Sequence, residues 1–151
     1  MKQQDFDALL ADTTKQINGS VEWDMDDDHY PSVEFRIEVV SQPKYPILVK
    51  GSYNQLAQTL TYALIHQRYG RIYALDLGKD HHNPTCSTVG RKHKHRWTEL
   101  FRDKEAYVPD DITAMINDPV DVWFQFCKEA FLMHNGVMYP PPLVQLELEL
   151  Y

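Results

Sequence analysis

Alternating apolar and polar positions predict a chain made mainly of β-strands. The alternation has the period of two residues that is typical of strands with one buried and one solvated face. Where β-branched and aromatic residues stand on both sides of Tyr69-Gly70, the turn dipeptide predicts a hairpin. Strands are predicted over residues 21–25, 33–39, 47–53, 56–69, 71–77, 93–97 and 143–151.

Helical spacing of apolar residues occurs near both ends of the chain. Residues 4–17 carry apolar side chains three and four positions apart, which predicts an N-terminal helix. Asp118 followed by Pro119 predicts the N-cap and first position of a helix that runs to residue 134. Pro109, with two aspartates after it, predicts a shorter helix. We therefore expect a single α+β domain over 1–151, with a curved, mostly antiparallel sheet and one or two helices near residues 110–135.

Composition excludes several classes of protein. The 151 residues are 43% hydrophobic and 25% charged, which favours a folded globular chain over a disordered one. No apolar run reaches the roughly 18 residues of a membrane helix, and the N-terminus shows no apolar signal segment. Cys86 and Cys127 stand far apart, which argues against a disulfide framework or zinc knuckle. These features predict a cytoplasmic protein that does not bind membranes.

Charge is concentrated in one segment. The formal net charge is −7, yet residues 66–104 carry +5 and the rest of the chain −12. A basic patch on an acidic protein predicts a partner that carries phosphate, such as a nucleic acid or nucleotide. The acidic remainder, including Asp26, Asp27 and Asp28, alternatively predicts a protein that inhibits a basic nucleic-acid-binding partner.

The same segment contains five of the seven histidines. His93 and His95 are two positions apart on a predicted strand, so their side chains share a face. The loop over 78–91 can return His81 or His82 to them, and Asp76 and Asp80 are close in sequence. Alternatively, these histidines and Asn83 have a purely structural role and form hydrogen bonds with the loop and with each other.

Metal binding is one chemistry that these residues support. His93-x-His95-x-x-x-Glu99 resembles the first metal motif of cupins, although Ser87 and Ala106 replace two glycines of that motif. With His81, this gives a candidate zinc or manganese site made of His81, His93, His95 and Glu99. No cofactor is predicted by the main interpretation.

Two other hypotheses are catalysis that needs no metal ion and binding of a ligand without catalysis. His93 and His95 could serve as acid and base of a ribonuclease, with Lys94 and Arg96 holding the phosphate. Alternatively, the hairpin binds nucleic acid through phosphate contacts and stacking. The candidate binding residues are His81, Asn83, Arg91, Lys92, Lys94, Arg96 and Trp97.

The pattern Leu75-Asp76-x-Gly78-x-x-His81-x-Asn83-Pro84, followed by His93-x-His95-x-Trp97 and Ala106-Tyr107, resembles a family of uncharacterised bacterial and prophage proteins. The resemblance covers roughly residues 58–110, and Cys86 departs from the glycine usual after the Asn-Pro turn. It implies that His81, Asn83, His93 and His95 act as a unit, and it supplies no activity. We expect a small accessory protein, of phage or mobile-element type, that binds a phosphate-bearing partner through residues 66–104. The sequence decides neither whether the protein is an enzyme nor its oligomeric state.

Overall fold

The computed structural model describes residues 1–144 and contains two helices and nine strands in that range. In chain order these elements are α1 (Gln3–Ala11), β1 (Gln16–Asn18), β2 (Asp24–Met25), β3 (Val33–Val39), β4 (Ile47–Asn54), β5 (Thr59–His66), β6 (Gly70–Leu77), β7 (Lys92–Arg96), β8 (Ala106–Tyr107), α2 (Pro119–Glu129) and β9 (Met133–Asn135). Neither helix is long and apolar enough to cross a membrane.

Strands β2 to β8 form one open antiparallel sheet in which neighbours in sequence are neighbours in space. The long strands β3 to β6 correspond to segments for which the sequence predicts strands. A second, two-stranded sheet pairs β1 with β9 in parallel. The α+β prediction is confirmed.

The two faces of the large sheet differ in chemistry. On one face, Tyr62 of β5 and Tyr73 of β6 pack against Trp123 and Phe126 of α2, with ring centroids 5.2–5.6 Å apart. The Tyr62 hydroxyl donates to the carbonyl of Pro119, 2.6 Å away. This face forms the hydrophobic core. Residues one position along each strand face the other way, and that opposite face carries the polar cluster described below.

The N-terminal helix is shorter than the predicted range of residues 4–17. α1 ends at Ala11, and Ile17 lies in β1 with a fully buried side chain. Lys15 ends the helix, because its Nζ folds back and donates to the carbonyls of Leu9, Leu10 and Asp12 at 2.6, 3.0 and 2.6 Å. The last carbonyls of a helix lack their usual N–H donor four residues further on, and the Lys15 ammonium supplies a donor to them at the point where α1 ends.

The helix predicted at Pro109 is absent from the described structure, where residues 109–117 are irregular. Their backbone groups are engaged elsewhere. The Ile112 carbonyl accepts from the Lys92 ammonium at 2.9 Å, and the Thr113 and Ala114 N–H groups donate to Gln125 Oε1. Tertiary contacts therefore override the local helix signal.

Other boundaries also differ from the predictions. Helix α2 begins as expected, with the Asp118 carboxylate accepting from Asp121 N, but it ends at Glu129 and is followed by β9. The strand predicted over 21–25 is reduced to β2. Of the strand predicted over 143–151, residues 143 and 144 are not in a strand, and the rest lies outside the described residues.

Replacing Lys15 by Met should lower the free energy of unfolding by about 2 kcal/mol, since carbonyls at the end of α1 lose a buried charged donor. Urea denaturation of the variant would measure this. Lys44→Met removes an exposed ammonium and serves as the matched control. Equal unfolding free energies for the two variants would contradict the role of Lys15.

Candidate metal centre

The register of three adjacent strands brings the polar cluster together. Thr61 of β5 is paired with Asp76 of β6, which in turn is paired with His93 of β7. His95 stands two residues further along β7, so its side chain points to the same face as that of His93. Asp76 is thus a buried carboxylate near the end of β6, flanked by two imidazoles on the next strand.

The loop between β6 and β7 delivers the third histidine. Gly78 begins this loop with φ +86°, and a Cβ there would lie 2.0 Å from the carbonyl oxygen of Gln58. The Gly78 N–H donates to the Arg91 carbonyl at 2.8 Å, which closes the base of the loop. Within the loop, the Val89 N–H donates to the His81 carbonyl at 3.0 Å. The ring of His81 lies beside those of His93 and His95, so His81 rather than His82 is the third histidine.

The three imidazoles of His81, His93 and His95 form a compact cluster. Their ring centroids are 4.6–5.4 Å apart, and one nitrogen from each ring lies within 4.8 Å of the others. His93 and His95 are 1% and 2% exposed, whereas His81 is half-buried.

One nitrogen of each ring is bound to a backbone carbonyl. His93 Nδ1 lies 2.8 Å from Gly90 O, His95 Nδ1 lies 2.7 Å from Asp103 O, and His81 Nε2 lies 2.6 Å from Lys104 O. Since a carbonyl oxygen only accepts, each of these nitrogens must donate. In a neutral imidazole the remaining nitrogen then carries a lone pair, and this is how proteins orient histidines that bind metals.

Asp76 is the carboxylate of the cluster. Its Oδ2 lies 3.3 Å from His93 Nε2 and 3.2 Å from His95 Nε2, and its Oδ1 accepts from the Thr61 hydroxyl at 2.5 Å. Burial raises the pKa of Asp76, but the adjacent imidazoles of His93 and His95 and the Thr61 hydroxyl outweigh burial and hold that pKa well below its ordinary value. The carboxylate is therefore an anion in the folded protein.

These distances suit a tetrahedral metal ion. Zinc bonds to nitrogen and oxygen are about 2.0–2.1 Å long, so two ligands at adjacent corners of a tetrahedron are about 3.3–3.4 Å apart. The two distances from Asp76 Oδ2 to the imidazoles are close to this value. His93 Nε2 and His95 Nε2 thus each stand near this spacing from Asp76, and His81, whose ring nitrogen lies within 4.8 Å of a nitrogen of each of these rings, is the candidate for the fourth ligand.

Asn83 holds the loop to the edge of the sheet. Its side-chain Nδ2 donates to the Ala106 carbonyl at 2.9 Å, and its Oδ1 accepts from the Ala106 N–H at 2.8 Å. Ala106 belongs to β8, the edge strand. Asn83 therefore positions His81 rather than facing outward to a partner.

Lys94 points to the opposite face from the histidines and belongs to the core. It is fully buried, and its Nζ donates to both carboxylate oxygens of Asp111, at 2.8 and 2.6 Å, and to Glu129. The prediction that Lys94 contacts phosphate is corrected by this geometry, because the ammonium is enclosed by two carboxylates of its own chain.

The other predicted residues are divided between the surface and the interior. Arg91, Lys92 and Arg96 are exposed, although Lys92 Nζ donates to Ile112 O. Trp97 is 1% exposed and packs on Phe6, so it is not available to stack on a base.

Glu99 is not part of the histidine cluster. Its carboxylate accepts from the N–H of Gln3 at 2.5 Å, at the start of α1, where a negative charge stabilises the helix. The cupin-like set of ligands therefore lacks its glutamate, and the open sheet also differs from the jelly roll of cupins. The carboxylate beside the histidines comes from Asp76, one strand earlier.

Fold and site define a small α+β protein with a histidine-carboxylate cluster on the polar face of an open sheet. A protein-family model with the description "Family of unknown function (DUF6978)" matches residues 1–131, and the chain belongs to this family. This agrees with the resemblance to uncharacterised proteins in the sequence analysis. Comparison with curated proteins and with solved structures finds no match.

Lys94→Met should destabilise the protein by about 3 kcal/mol, because Asp111 and Glu129 would lose their shared cation. Arg91→Gln, at an exposed position of the same hairpin, should change the unfolding free energy by less than about 0.5 kcal/mol. Thermal or urea unfolding measures both. If Lys94→Met were as stable as Arg91→Gln, the assignment of Lys94 to the core would fail.

Proposed function

We propose that this protein binds a divalent transition-metal ion, zinc, through His81, His93, His95 and Asp76. One observation carries the proposal. His93 and His95 each have one ring nitrogen on a backbone carbonyl, while the other nitrogen of both rings lies within 3.3 Å of the same oxygen, Asp76 Oδ2.

Without a metal ion this arrangement requires an unusual charge state. Each of the two rings faces an oxygen acceptor on both sides, and a neutral imidazole has only one N–H to donate. Hydrogen bonds on both sides would make His93 and His95 two buried cations around one carboxylate, with the Arg71 guanidinium 3.7 Å from the same oxygen. Burying charge in this way is unfavourable. A metal ion between the lone pairs and the carboxylate removes the conflict.

The donor set favours zinc over manganese. Imidazole nitrogen suits zinc, whereas manganese prefers sites that are rich in carboxylate and water oxygens. Each proposed ligand also has the outer partner that metal sites usually have, namely a carbonyl for every histidine and the Thr61 hydroxyl for Asp76.

The role that fits this site best is to fasten the 78–91 loop to the sheet. Three proposed ligands lie in β6 and β7, and only His81 lies in the loop. Because such an ion binds the folded chain alone, it would stabilise the fold by mass action.

The metal is tested by isothermal titration of the purified, chelator-stripped protein with zinc. We expect one ion per chain, and a loss of affinity of at least about tenfold for His81→Ala and more for His95→Ala. The adjacent His82→Ala is the matched control, because His82 is exposed and its Nδ1 lies 3.3 Å from the Thr88 hydroxyl.

Two results would contradict the proposal. One is the absence of any zinc binding by the folded wild-type protein. The other is an equal loss of affinity in His81→Ala and His82→Ala, which would mean that zinc binds loosely to surface histidines.

Binding of a nucleic acid by residues 66–104 remains a second proposal. The exposed positions of Arg91 and Arg96 support it, whereas Lys94 and Trp97 no longer contribute. Fluorescence anisotropy with a labelled single-stranded RNA should show binding that weakens with salt and with the double variant Arg91→Gln/Arg96→Gln. Equal affinity of the double variant and the wild type would end this proposal. The phage origin and the acidic-surface inhibitor remain predictions of the sequence alone.

A further inference from the structure

Two cationic side chains border the proposed metal centre. The guanidinium of Arg71 lies 3.7 Å from Asp76 Oδ2 and also donates to the Asp103 carboxylate at 2.9 Å. Lys79 Nζ donates to the Thr61 hydroxyl at 3.2 Å, and that hydroxyl donates to Asp76 Oδ1. Both cations are therefore connected to the proposed carboxylate ligand, one directly and one through a single hydroxyl.

The charges of this cluster do not balance when a divalent ion is present. With neutral histidines, the carboxylates of Asp76 and Asp103 offset the cations of Arg71 and Lys79. A divalent ion then leaves a surplus of two positive charges around a largely buried point. Asp80, the acidic residue next to Lys79, is exposed and forms no ion pair within residues 1–144. Like charges repel each other, so Lys79 and Arg71 would oppose the binding of a divalent ion that brings no anion with it.

An anion in contact with the ion would correct this imbalance. Asp76, His93 and His95 are buried, whereas His81 is half-buried and Lys79, two residues before it, is exposed. Solvent therefore reaches the cluster beside His81 and Lys79. A four-coordinate zinc site can expand to five ligands, and a tetrahedral oxyanion can place one oxygen on the ion while others accept from an ammonium and a guanidinium.

We propose that the metal centre binds a phosphate group as an exogenous ligand, with Lys79 and Arg71 as its cationic contacts. This inference rests on the proposed metal site. The group is either free phosphate or the terminal phosphate of a monoester. The proposal concerns binding, and it includes no bond cleavage. It also connects the basic character of residues 66–104 with the histidine cluster, as one site for a phosphate-bearing ligand.

Cobalt(II) is the probe for this proposal, because its visible spectrum reports both metal binding and a change of ligands. The stripped full-length protein is first loaded with cobalt, and inorganic phosphate or phenyl phosphate is then titrated in separate arms. We expect phosphate to change the cobalt spectrum saturably. Lys79→Gln should weaken phosphate binding about tenfold, since it removes a charged donor, while cobalt should bind this variant at least as tightly as the wild type. Lys79→Arg should restore the phosphate response.

Lys50→Gln is the matched control, because Lys50 is a partly exposed lysine of β4 that is 3.9 Å from Glu34. It should respond to phosphate as the wild type does. A response only to phenyl phosphate would support the proposal and identify a monoester as the ligand.

The outcomes that overturn the inference are distinct from those that overturn the metal site. If cobalt binds and millimolar concentrations of neither phosphate nor phenyl phosphate change its spectrum, the metal site stands and the phosphate proposal is wrong. The same conclusion follows if Lys79→Gln and Lys50→Gln respond alike. If cobalt does not bind the folded protein at all, both proposals are wrong.

Discussion

A single buried oxygen atom, Asp76 Oδ2, organises the polar side of this protein. Two imidazoles approach it at 3.2 and 3.3 Å, and each is held from behind by a backbone carbonyl. The carbonyls belong to Gly90 and Asp103, which lie in the segments that enter and leave β7. The path of both segments is thus coupled to the direction of the two rings. A change in the register of β6 and β7 by one residue would turn Asp76 to the core and separate it from both histidines.

The side chains of strand β7 lie in two different environments, one on each face of the sheet. Its odd-numbered residues, His93 and His95, face the polar cluster, while Lys94 between them reaches the core side and is enclosed by Asp111 and Glu129. The dense run of cations in the sequence is therefore not one basic surface. Alternation along the strand divides it into buried imidazoles, a buried ion-paired ammonium and the exposed side chains of Arg91 and Arg96.

Periodicity was sufficient to predict much of the fold. β3 to β7, the hairpin turn at Tyr69-Gly70 and the start of α2 at Asp118 follow from alternation, turn residues and capping, which are local properties. The errors fall where side-chain contacts override the pattern of apolar residues. Lys15 ends α1 by reaching back to its carbonyls, and the contacts of Ile112 and Gln125 hold residues 109–117 out of a helix.

The candidate site was predicted in part for the same reason. His93 and His95 on one face follow from their spacing, and Asp76 was noted only as an acidic residue close to them in sequence. The sequence could not pair Asp76 with His93, because the pairing depends on the register across a fourteen-residue loop (residues 78–91). It also could not separate His81 from His82, nor exclude Glu99, whose partner Gln3 is 96 positions away.

The central claim is that His81, His93, His95 and Asp76 surround one metal ion. It is tested most directly by a crystal structure of the zinc-loaded protein, with anomalous diffraction measured on both sides of the zinc absorption edge. The account predicts one strong anomalous peak per chain, with three imidazole nitrogens and an Asp76 oxygen at about 2.0–2.1 Å. A map with no zinc peak among these residues, and with His93 and His95 hydrogen-bonded directly to Asp76, would contradict it.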